Sequence, residues 1–416
     1  MKILHLTNYY PPHDPSATES QCFKVVNQLM RRGHKVRVLT STHLEPGVRA
    51  RQAGVSRSLH LVNPSNQFEK KTSLGHLYSC QKNNHFLLEA ISKDFYPDVI
   101  ILWNLIGVPR SILWSAISSG IPCVIAIHDT WLIQQLNNDA WTNWWKNPLP
   151  TKQAIIRSFL KLSGLSHLIK KRYPIESLKK LVPALSFFCS RDLQQMIHKR
   201  GFAFARGEVI PHCVSTREIA IKRFRSNKLY RLLIIDPVDK DHDPLTAIKA
   251  ILKLRDAGHN RFSLDIFGNG ERSYKNQLQS FIHKHRLEAS VRIGNIPSVN
   301  LPMLFLSYDI LLYTAKKAAP FPDSIIKAMA AKLPVISTPD GSCRDLIRDG
   351  ENSLSFHREN PSELSDCILK IAHDPDLVER LTYTAHRDFR MKYSVESVTS
   401  KIENILHAAR RRARFL

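Results

Sequence analysis

The sequence predicts an α/β protein built from two doubly wound parallel sheets. Two observations support this class. Short apolar runs alternate with helix-length segments along the chain, and 416 residues are too many for one ordinary core. The first forty residues show the repeating unit: a buried strand at 2–7, a Pro-rich loop, a helix at about 20–32 closed by Gly33, and a strand at 36–40. This order predicts a right-handed crossover between parallel strands.

The unit recurs on both sides of a polar, basic stretch. In the N-terminal half, further apolar runs lie at residues 97–103, 122–128 and 184–190. In the C-terminal half they lie at residues 231–235, 262–268, 291–295, 309–314 and 334–339. We therefore expect domains at residues 1–214 and 230–394, a linker at 215–229 and a C-terminal helix with a basic tail at 395–416. Two such domains place a ligand cleft between them, at the carboxyl ends of the strands.

The composition is strongly basic, with 60 Lys and Arg against 36 Asp and Glu and a formal net charge of +24. An excess of this size favours an anionic partner, such as a phospholipid surface, a lipid-linked phosphate or nucleic acid, or it reflects a lineage with basic proteins. Nucleic acid is not expected, because no recognition motif accompanies the charge. The seven cysteines are scattered without CxxC spacing, which predicts a reducing compartment, no metal site and no disulfide framework.

The N-terminus reaches a Pro-Pro turn before a signal-peptide core could form, and no apolar run approaches the roughly 18 residues that span a bilayer. These features predict a cytoplasmic protein that can rest on the inner face of a membrane. Residues 152–180 contain eight Lys or Arg and one acidic residue, Glu176, interleaved with apolar side chains such as Ile155 and Phe159. Two interpretations stay open: an amphipathic helix on an anionic bilayer, or a solvated helix face.

All six tryptophans fall within residues 103–145. Exposed indole rings stack on sugars and lie well at membrane interfaces, whereas buried ones fill cores. We expect core packing for Trp103 and Trp114. We expect an acceptor or interface role for Trp141, Trp144 and Trp145, which stand in a polar stretch.

A series of motifs resembles family 4 of the GT-B glycosyltransferases over nearly the whole chain. They are the YYPP loop, RRGHKVRVLT (31–40), LWNLIGVP (102–109), GIPCVIAIHDTW (120–131), CSRDLQQMIHKRG (189–201), VIPHCV (209–214), DIFGNGE (265–271), FPDSIIKAMAAKLPVIST (321–338) and DGENSLSF (349–356). The resemblance implies the GT-B fold, two Rossmann-like domains facing across a cleft. It also implies sugar transfer from a nucleotide-sugar donor to a glycan or lipid-linked acceptor, with retention and without a metal ion or other cofactor.

The resemblance also assigns roles to individual residues. His128 and Asp129 match the family's His-Asp pair, in which the His contacts the donor sugar or the reacting hydroxyl, and Asp129 either orients that ring or caps the next segment. Asn104 and Trp131 lie in the acceptor-side motifs. The donor-binding candidates are Ser16 and Ala17, where the family often has two glycines, the turn Gly268, Asn269 and Gly270, and the helix residues Asp323, Ser324 and Lys327. Lys240 lies close to the family's two cation positions and is a candidate to substitute for them.

Several donor positions depart from the family's pattern. The leaving diphosphate needs preorganised cations, which the family supplies as an Arg and a Lys after the first donor-domain strand. The matching positions here are Pro237 and His242, among several aspartates. The family's two sugar- and ribose-binding glutamates correspond to Ala319 and Lys327, and each lost contact weakens binding about 10- to 100-fold. Asp323 is then either a rewired donor contact or half of an i, i+4 ion pair with Lys327.

Two functions therefore stay open. The first is an active glycosyltransferase with an unusual donor site. The second is a catalytically inactive GT-B homologue that acts as the partner or scaffold of an active glycosyltransferase.

Overall fold

Two compact units make up the chain, each built on a parallel sheet. The computed structural model describes residues 1–13, 17–43, 52–62, 73–202, 204, 207–215, 219–222, 230–295, 301–317 and 321–412. The first unit contains Met1–Ile210 together with Thr399–Leu416, and the second contains Pro211–Val398. Their parallel sheets confirm the predicted fold class.

The first unit has a seven-stranded sheet in the order β3-β2-β1-β4-β5-β6-β7, with every pair of neighbours parallel. Its strands are β1 Lys2–Leu6, β2 Lys35–Ser41, β3 Val55–Leu59, β4 Val99–Leu102, β5 Cys123–Ile127, β6 Leu185–Phe188 and β7 Glu208–Val209. Its helices before the linker are α1 Ala17–Arg31, α2 Leu74–Phe95, α3 Ser111–Ile117, α4 Trp131–Asn138, α5 Ala140–Lys146, α6 Thr151–Leu162, α7 Leu165–Arg172 and α8 Arg191–Lys199.

The second unit has a six-stranded parallel sheet in the order β10-β9-β8-β11-β12-β13. Its strands are β8 Arg231–Ile235, β9 Ser263–Phe267, β10 Val291–Gly294, β11 Ile310–Tyr313, β12 Val335–Ser337 and β13 Leu354–Ser355. Its helices are α9 Pro244–Asp256, α10 Arg272–Lys284, α11 Leu301–Leu306, α12 Asp323–Ala331, α13 Pro361–His373 and α14 Pro375–Asp388, and α15 Val395–Arg412 then crosses into the first unit.

Burial on both faces explains why the strands are continuous apolar runs. All residues of β4, β5 and β11 are buried, as is usual for a parallel sheet covered by helices on each side. In each sheet the chain order reverses once, between β1 and β4 and between β8 and β11. Such switch points are where ligands bind in open α/β sheets.

The structure differs from the sequence-based expectations at a few elements. β3 was not predicted, because this edge strand has four half-buried residues and no apolar run. α1 begins earlier than expected, at Ala17, and the basic stretch forms two helices separated by Gly164, whose φ is +75°. Among the described residues, none of the helices has the length and hydropathy of a membrane span.

Candidate functional site

The carboxyl edge of the first sheet gathers polar side chains from three neighbouring strands. Asn8 follows β1, Asn104 follows β4, and His128 and Asp129 follow β5. The backbone N–H of Asn8 donates to the carbonyl oxygen of Asn104 at 2.8 Å, which ties the two loops at the switch point. The sequence-predicted residues Asn104, His128 and Asp129 therefore lie at one edge of one sheet.

Asp129 is the centre of a hydrogen-bonded group at this edge. Its Oδ2 accepts from Thr18 Oγ1 at 3.0 Å and from Asn104 Nδ2 at 3.3 Å. The same amide nitrogen of Asn104 lies 3.3 Å from Oε1 of Glu19, a carboxylate that is 1% exposed. Oδ1 of Asp129 accepts from the backbone N–H of Trp131 at 2.7 Å. The contact with Trp131 N–H is a local turn at the start of α4, and the contacts with Thr18 and Asn104 join the first turn of α1 to the loop after β4.

His128 is buried against aromatic rings. Its imidazole stacks on Trp103 with ring centroids 5.2 Å apart and meets Phe187 edge-on at 5.6 Å. Trp103 is fully buried, as expected, and its Nε1 donates to Nδ1 of His5 at 2.9 Å. Because burial lowers the pKa of His5 to about 3, that ring is neutral and carries its proton on Nε2. The aromatic stack fixes the plane of the His128 ring at the strand end.

The expectation of an acceptor or interface role for Trp141, Trp144 and Trp145 is wrong. The three side chains are 1–5% exposed and form a small core with Leu77 and Tyr173. The indole N–H of Trp141 donates to the carbonyl oxygen of Tyr173 at 3.1 Å. Their rings are therefore packing surface, because helices distant in sequence cover a segment that looks polar on its own.

Trp131, assigned to the acceptor side by the resemblance, is also fully buried, at the first turn of α4. In this conformation its ring has no face on which a sugar could stack. Trp114, expected in the core, is half-buried on α3.

The carboxyl edge of the second sheet is shaped by the glycines of the DIFGNGE motif. A Cβ on Gly268 would lie 1.9 Å from the carbonyl oxygen of Asp236, and one on Gly270 would lie 2.0 Å from that of Val238. The carbonyl oxygen of Asn269 accepts from the backbone N–H of Val238 at 2.8 Å. These glycines allow the loops after β8 and β9 to touch, so that Gly268, Asn269 and Gly270 hold the segment that follows β8.

Asp236, directly after β8, is the most perturbed carboxyl of this edge. Its two oxygens accept from Ser324 Oγ at 3.2 and 3.1 Å. Burial raises its pKa to about 7, although the Ser324 hydrogen bond and the nearby Lys327 both lower it. Ser324 and Lys327, both predicted donor residues on α12, are thus brought together with Asp236.

Asp323, at the start of α12, pairs with a histidine that the sequence did not single out. Its Oδ1 lies 2.8 Å from Nδ1 of His212, whose ring also packs on Phe321 with centroids 4.6 Å apart. Among the described residues Lys327 forms no ion pair. The i, i+4 pair between Asp323 and Lys327 is therefore not formed.

The loop between β8 and α9 ties up its own charges. Nδ1 of His242 lies 2.8 Å from Oδ1 of Asp239, and the His242 carbonyl accepts from Thr314 Oγ1 at 2.9 Å. This makes His242 a turn-stabilising residue. Lys240 is exposed and, within the described ranges, forms no ion pair, so it remains available to an anion.

Two further lysines, Lys316 and Lys317, follow β11. Lys316 Nζ lies 2.6 Å from Glu359 and 3.7 Å from Asp243, and Lys317 Nζ lies 3.9 Å from Asp241. Their charge is thus already partly balanced by carboxylates.

Two of the predicted positions, Ser16 and Ala319, lie outside the described residues. Ala17 is exposed at the first position of α1. No group of three or more His, Cys, Asp or Glu placed to hold a metal ion occurs in the part of the chain that the structure describes.

Comparison with known proteins agrees with this architecture. The profile of glycosyltransferase family 4 matches residues 18–218, and the profile of glycosyl transferases group 1 matches residues 216–388. The glycosyltransferase MJ1178 of Methanocaldococcus jannaschii is 24% identical over 144 residues, which cover 35% of this chain and 40% of that protein.

Solved structures match over almost the full length. A glycosyltransferase of Rickettsia africae has a TM-score of 0.67 at 16% identity, covering 98% of both chains. HepE of Anabaena, solved with UDP and glucose, has a TM-score of 0.64 at 15% identity, covering 98% of this chain and 99% of its own. The two sheets and these likenesses define a protein of the GT-B fold. Within that class the two profiles cover both halves, and the chain belongs to glycosyltransferase family 4.

Sequence reasoning missed Thr18, Glu19 and His212. Thr18 and Glu19 follow the Pro-rich loop and lie in the first turn of α1. The sequence did contain a signal for them, because polar residues in the first turn of a helix that follows a strand at a switch point are typical of a site. His212 carried a weaker signal, a histidine in the VIPHCV motif.

Proposed function

We propose that the protein transfers a sugar from a nucleotide-sugar donor to a glycan or lipid-linked acceptor, with retention and without a metal ion. The observation that carries the proposal is the group formed by Asn104, His128 and Asp129 at the carboxyl edge of the first sheet. Its support comes from family membership and from HepE, a relative in fold whose structure holds UDP and glucose. The setting we propose is the cytoplasm, at the inner face of a membrane.

In this proposal the residues at each sheet edge have a separate task. His128 contacts the donor sugar or the reacting hydroxyl, with its ring plane set by Trp103, and Asp129 fixes the backbone beside it. Lys240 and Lys327 meet the diphosphate, whose negative charge grows as the sugar leaves. Gly268 and Gly270 let the supporting loops approach closely.

The experiment that tests the proposal measures release of nucleoside diphosphate from a panel of nucleotide sugars in the presence of EDTA. His128→Gln is expected to lower kcat about 100-fold or more, because a group at the reacting centre is lost. His198→Gln, on the exposed surface of α8, is the matched control and is expected to stay within about twofold of the wild type. Equal turnover by His128→Gln, or turnover that EDTA abolishes, would contradict the proposal.

A second candidate function, a non-catalytic partner or scaffold of an active glycosyltransferase, is favoured by one specific observation. Carboxylates occupy the donor edge of the second unit: Asp236 follows β8, and Asp323 begins α12, where a helix N-terminus would otherwise attract an anion. Negative charge at these places opposes a diphosphate. This candidate predicts a protein that binds no nucleotide.

A further inference from the structure

The helices α6 and α7 present a group of large apolar side chains to solvent. Neither helix has a buried residue. Six residues within fourteen positions are 44–89% exposed, and we call them the hairpin patch: Ile155, Ile156, Phe159, Leu162, Leu165 and Leu168. Single exposed apolar residues are ordinary, whereas a group of this size marks an interaction surface.

The opposite side of the two helices is attached to the protein. Leu160 and Ile169 pack against the small core that contains Trp141, Trp144 and Trp145. Arg157 Nη1 donates to the carbonyl oxygens of Trp144 at 2.9 Å and Trp145 at 3.2 Å. These contacts attach one side of the α6–α7 hairpin to the rest of the unit. On the other side, Ile155, Phe159 and Leu162, spaced i, i+4 and i+7 on α6, form a stripe that the described part of the unit does not cover.

Positive charge surrounds the patch. Lys152, Lys161 and Lys171 are exposed and form no ion pair with any described residue. Lys170 lies over the Trp145 ring at 4.8 Å, and its pKa is lowered by burial and then by the nearby charges of Lys161 and Arg157. No acidic residue occurs within α6 or α7.

We propose that the hairpin patch binds the surface of an anionic lipid bilayer, with its apolar side chains at the headgroup boundary and its lysines against lipid phosphates. Basic helices with an exposed apolar face are suited to this position. A second copy of the chain fits less well, because it would bring two basic patches together in a protein of formal charge +24. A free phosphate would leave the apolar side chains in water.

The inference adds a partner to the proposed function, but its test needs neither donor nor acceptor, so the two can fail separately. The full chain is sedimented with vesicles of phosphatidylcholine alone and with an equal mixture of phosphatidylcholine and phosphatidylglycerol. We expect binding to the mixed vesicles at low salt, release at high salt and little binding to phosphatidylcholine. A chain that stays in the supernatant with mixed vesicles at low salt overturns the proposal.

One pair of variants tests the apolar side chains. Phe159→Ser/Leu162→Ser removes two outward residues that are 65% and 89% exposed. The matched control is Tyr383→Ser/Met391→Ser, at 63% and 69% exposure in the second unit. We expect the hairpin variant to lose vesicle binding about 10-fold or more while the control keeps it. Equal binding by both variants overturns the proposal.

A second pair of variants tests the positive charge of the hairpin, with the same number of Lys→Gln substitutions in each variant. Both variants replace three exposed lysines by Gln: one in the hairpin, Lys152, Lys161 and Lys171, and one elsewhere, Lys199, Lys253 and Lys284. Each lysine near an anionic surface contributes about fivefold, so the hairpin variant is expected to bind about 100-fold more weakly than the control. Equal weakening of both overturns the assignment to this surface. Dimerisation that Phe159→Ser/Leu162→Ser abolishes, without vesicle binding by the wild type, would assign the patch to a second copy instead.

Discussion

At the scale of single residues, Asp236 sets the charge at the carboxyl edge of the second sheet as the pH changes. It lies directly after β8, and its carboxyl accepts hydrogen bonds from Ser324. Burial raises its pKa to about 7, so the side chain exchanges between neutral and negative forms near neutral pH. The carboxyl edge of the second sheet therefore carries less negative charge at low pH than at high pH.

Replacing Asp236 by Asn tests this charge through stability. The folded pKa lies above the ordinary value of 3.8, so folding favours the protonated form. The stability that this proton brings is present below pH 4 and is lost as the pH rises through 7. Between pH 5 and pH 8 we expect the free energy of unfolding of Asp236→Asn to rise by about 1–2 kcal/mol relative to that of the wild type. This is less than the whole pKa shift would give, because the residue is partly exposed.

Urea unfolding at several pH values measures the difference. The matched control is Asp366→Asn, which removes an exposed carboxylate on α13. A constant difference for Asp236→Asn would show that its carboxyl titrates in the ordinary range and would remove the argument for a pH-dependent charge at this sheet edge.

How far sequence predicts a site residue depends on the range of its contacts. The positions of His128 and Asp129 were predictable, because an apolar run ends just before them and strand ends form the ligand edge. The Thr18 to Asp129 and His212 to Asp323 contacts each join residues 111 positions apart. Contacts of that range follow from the assembled fold, and no local pattern announces them.

At the scale of elements, α5 shows why a polar-looking segment can be core. Asn143 and Lys146 made its tryptophans look exposed, yet Leu77 of α2 and Tyr173 after α7 complete a small core around them. The outward face of the hairpin above that core has no such cover within the described residues. In sequence, the tryptophans of α5 look like a binding surface and the aliphatic residues of the hairpin look like a core. In the structure the tryptophans are buried and the aliphatic residues are exposed.

The C-terminal helix α15 is a structural part of the first unit. Glu403 binds Arg32 and the His34 ring, each at 2.7 Å, and Arg410 lies 3.0 Å from Asp98. Leu406, on the same helix, is fully buried. At least one arginine of the basic tail is thus engaged in an ion pair within the unit.

Shortening Leu406 tests this attachment. Leu406→Ala leaves a cavity, and we expect it to lower the free energy of unfolding of the first unit by about 2–5 kcal/mol. Asn404→Ala, on the exposed face of α15, is the control and is expected to change it by less than about 0.5 kcal/mol. Hydrogen exchange resolved by segment measures both. Faster exchange confined to the second unit would contradict the placement of α15.

At the scale of the whole molecule, alternation of strands and helices was enough to predict two doubly wound sheets. The extent of the units was harder to predict, because α15 returns to the first unit after the whole second one. Charge distribution is the other feature that composition does not reveal. The chain is strongly basic, yet the carboxyl edge of the second sheet carries these aspartates: Asp236, Asp239, Asp241, Asp243 and Asp323.

The central claim is that the second unit binds a nucleotide-sugar donor despite those carboxylates. Isothermal titration of the full chain with UDP and GDP at pH 6, where Asp236 is mostly neutral, tests it most directly. We predict binding of at least one nucleotide, weakened about 10-fold or more in Lys240→Ala/Lys327→Ala and unchanged in the control Lys253→Ala/Lys284→Ala. No binding by the wild type, with binding acquired by Ala319→Glu/Lys327→Glu, would contradict the claim and favour the non-catalytic partner.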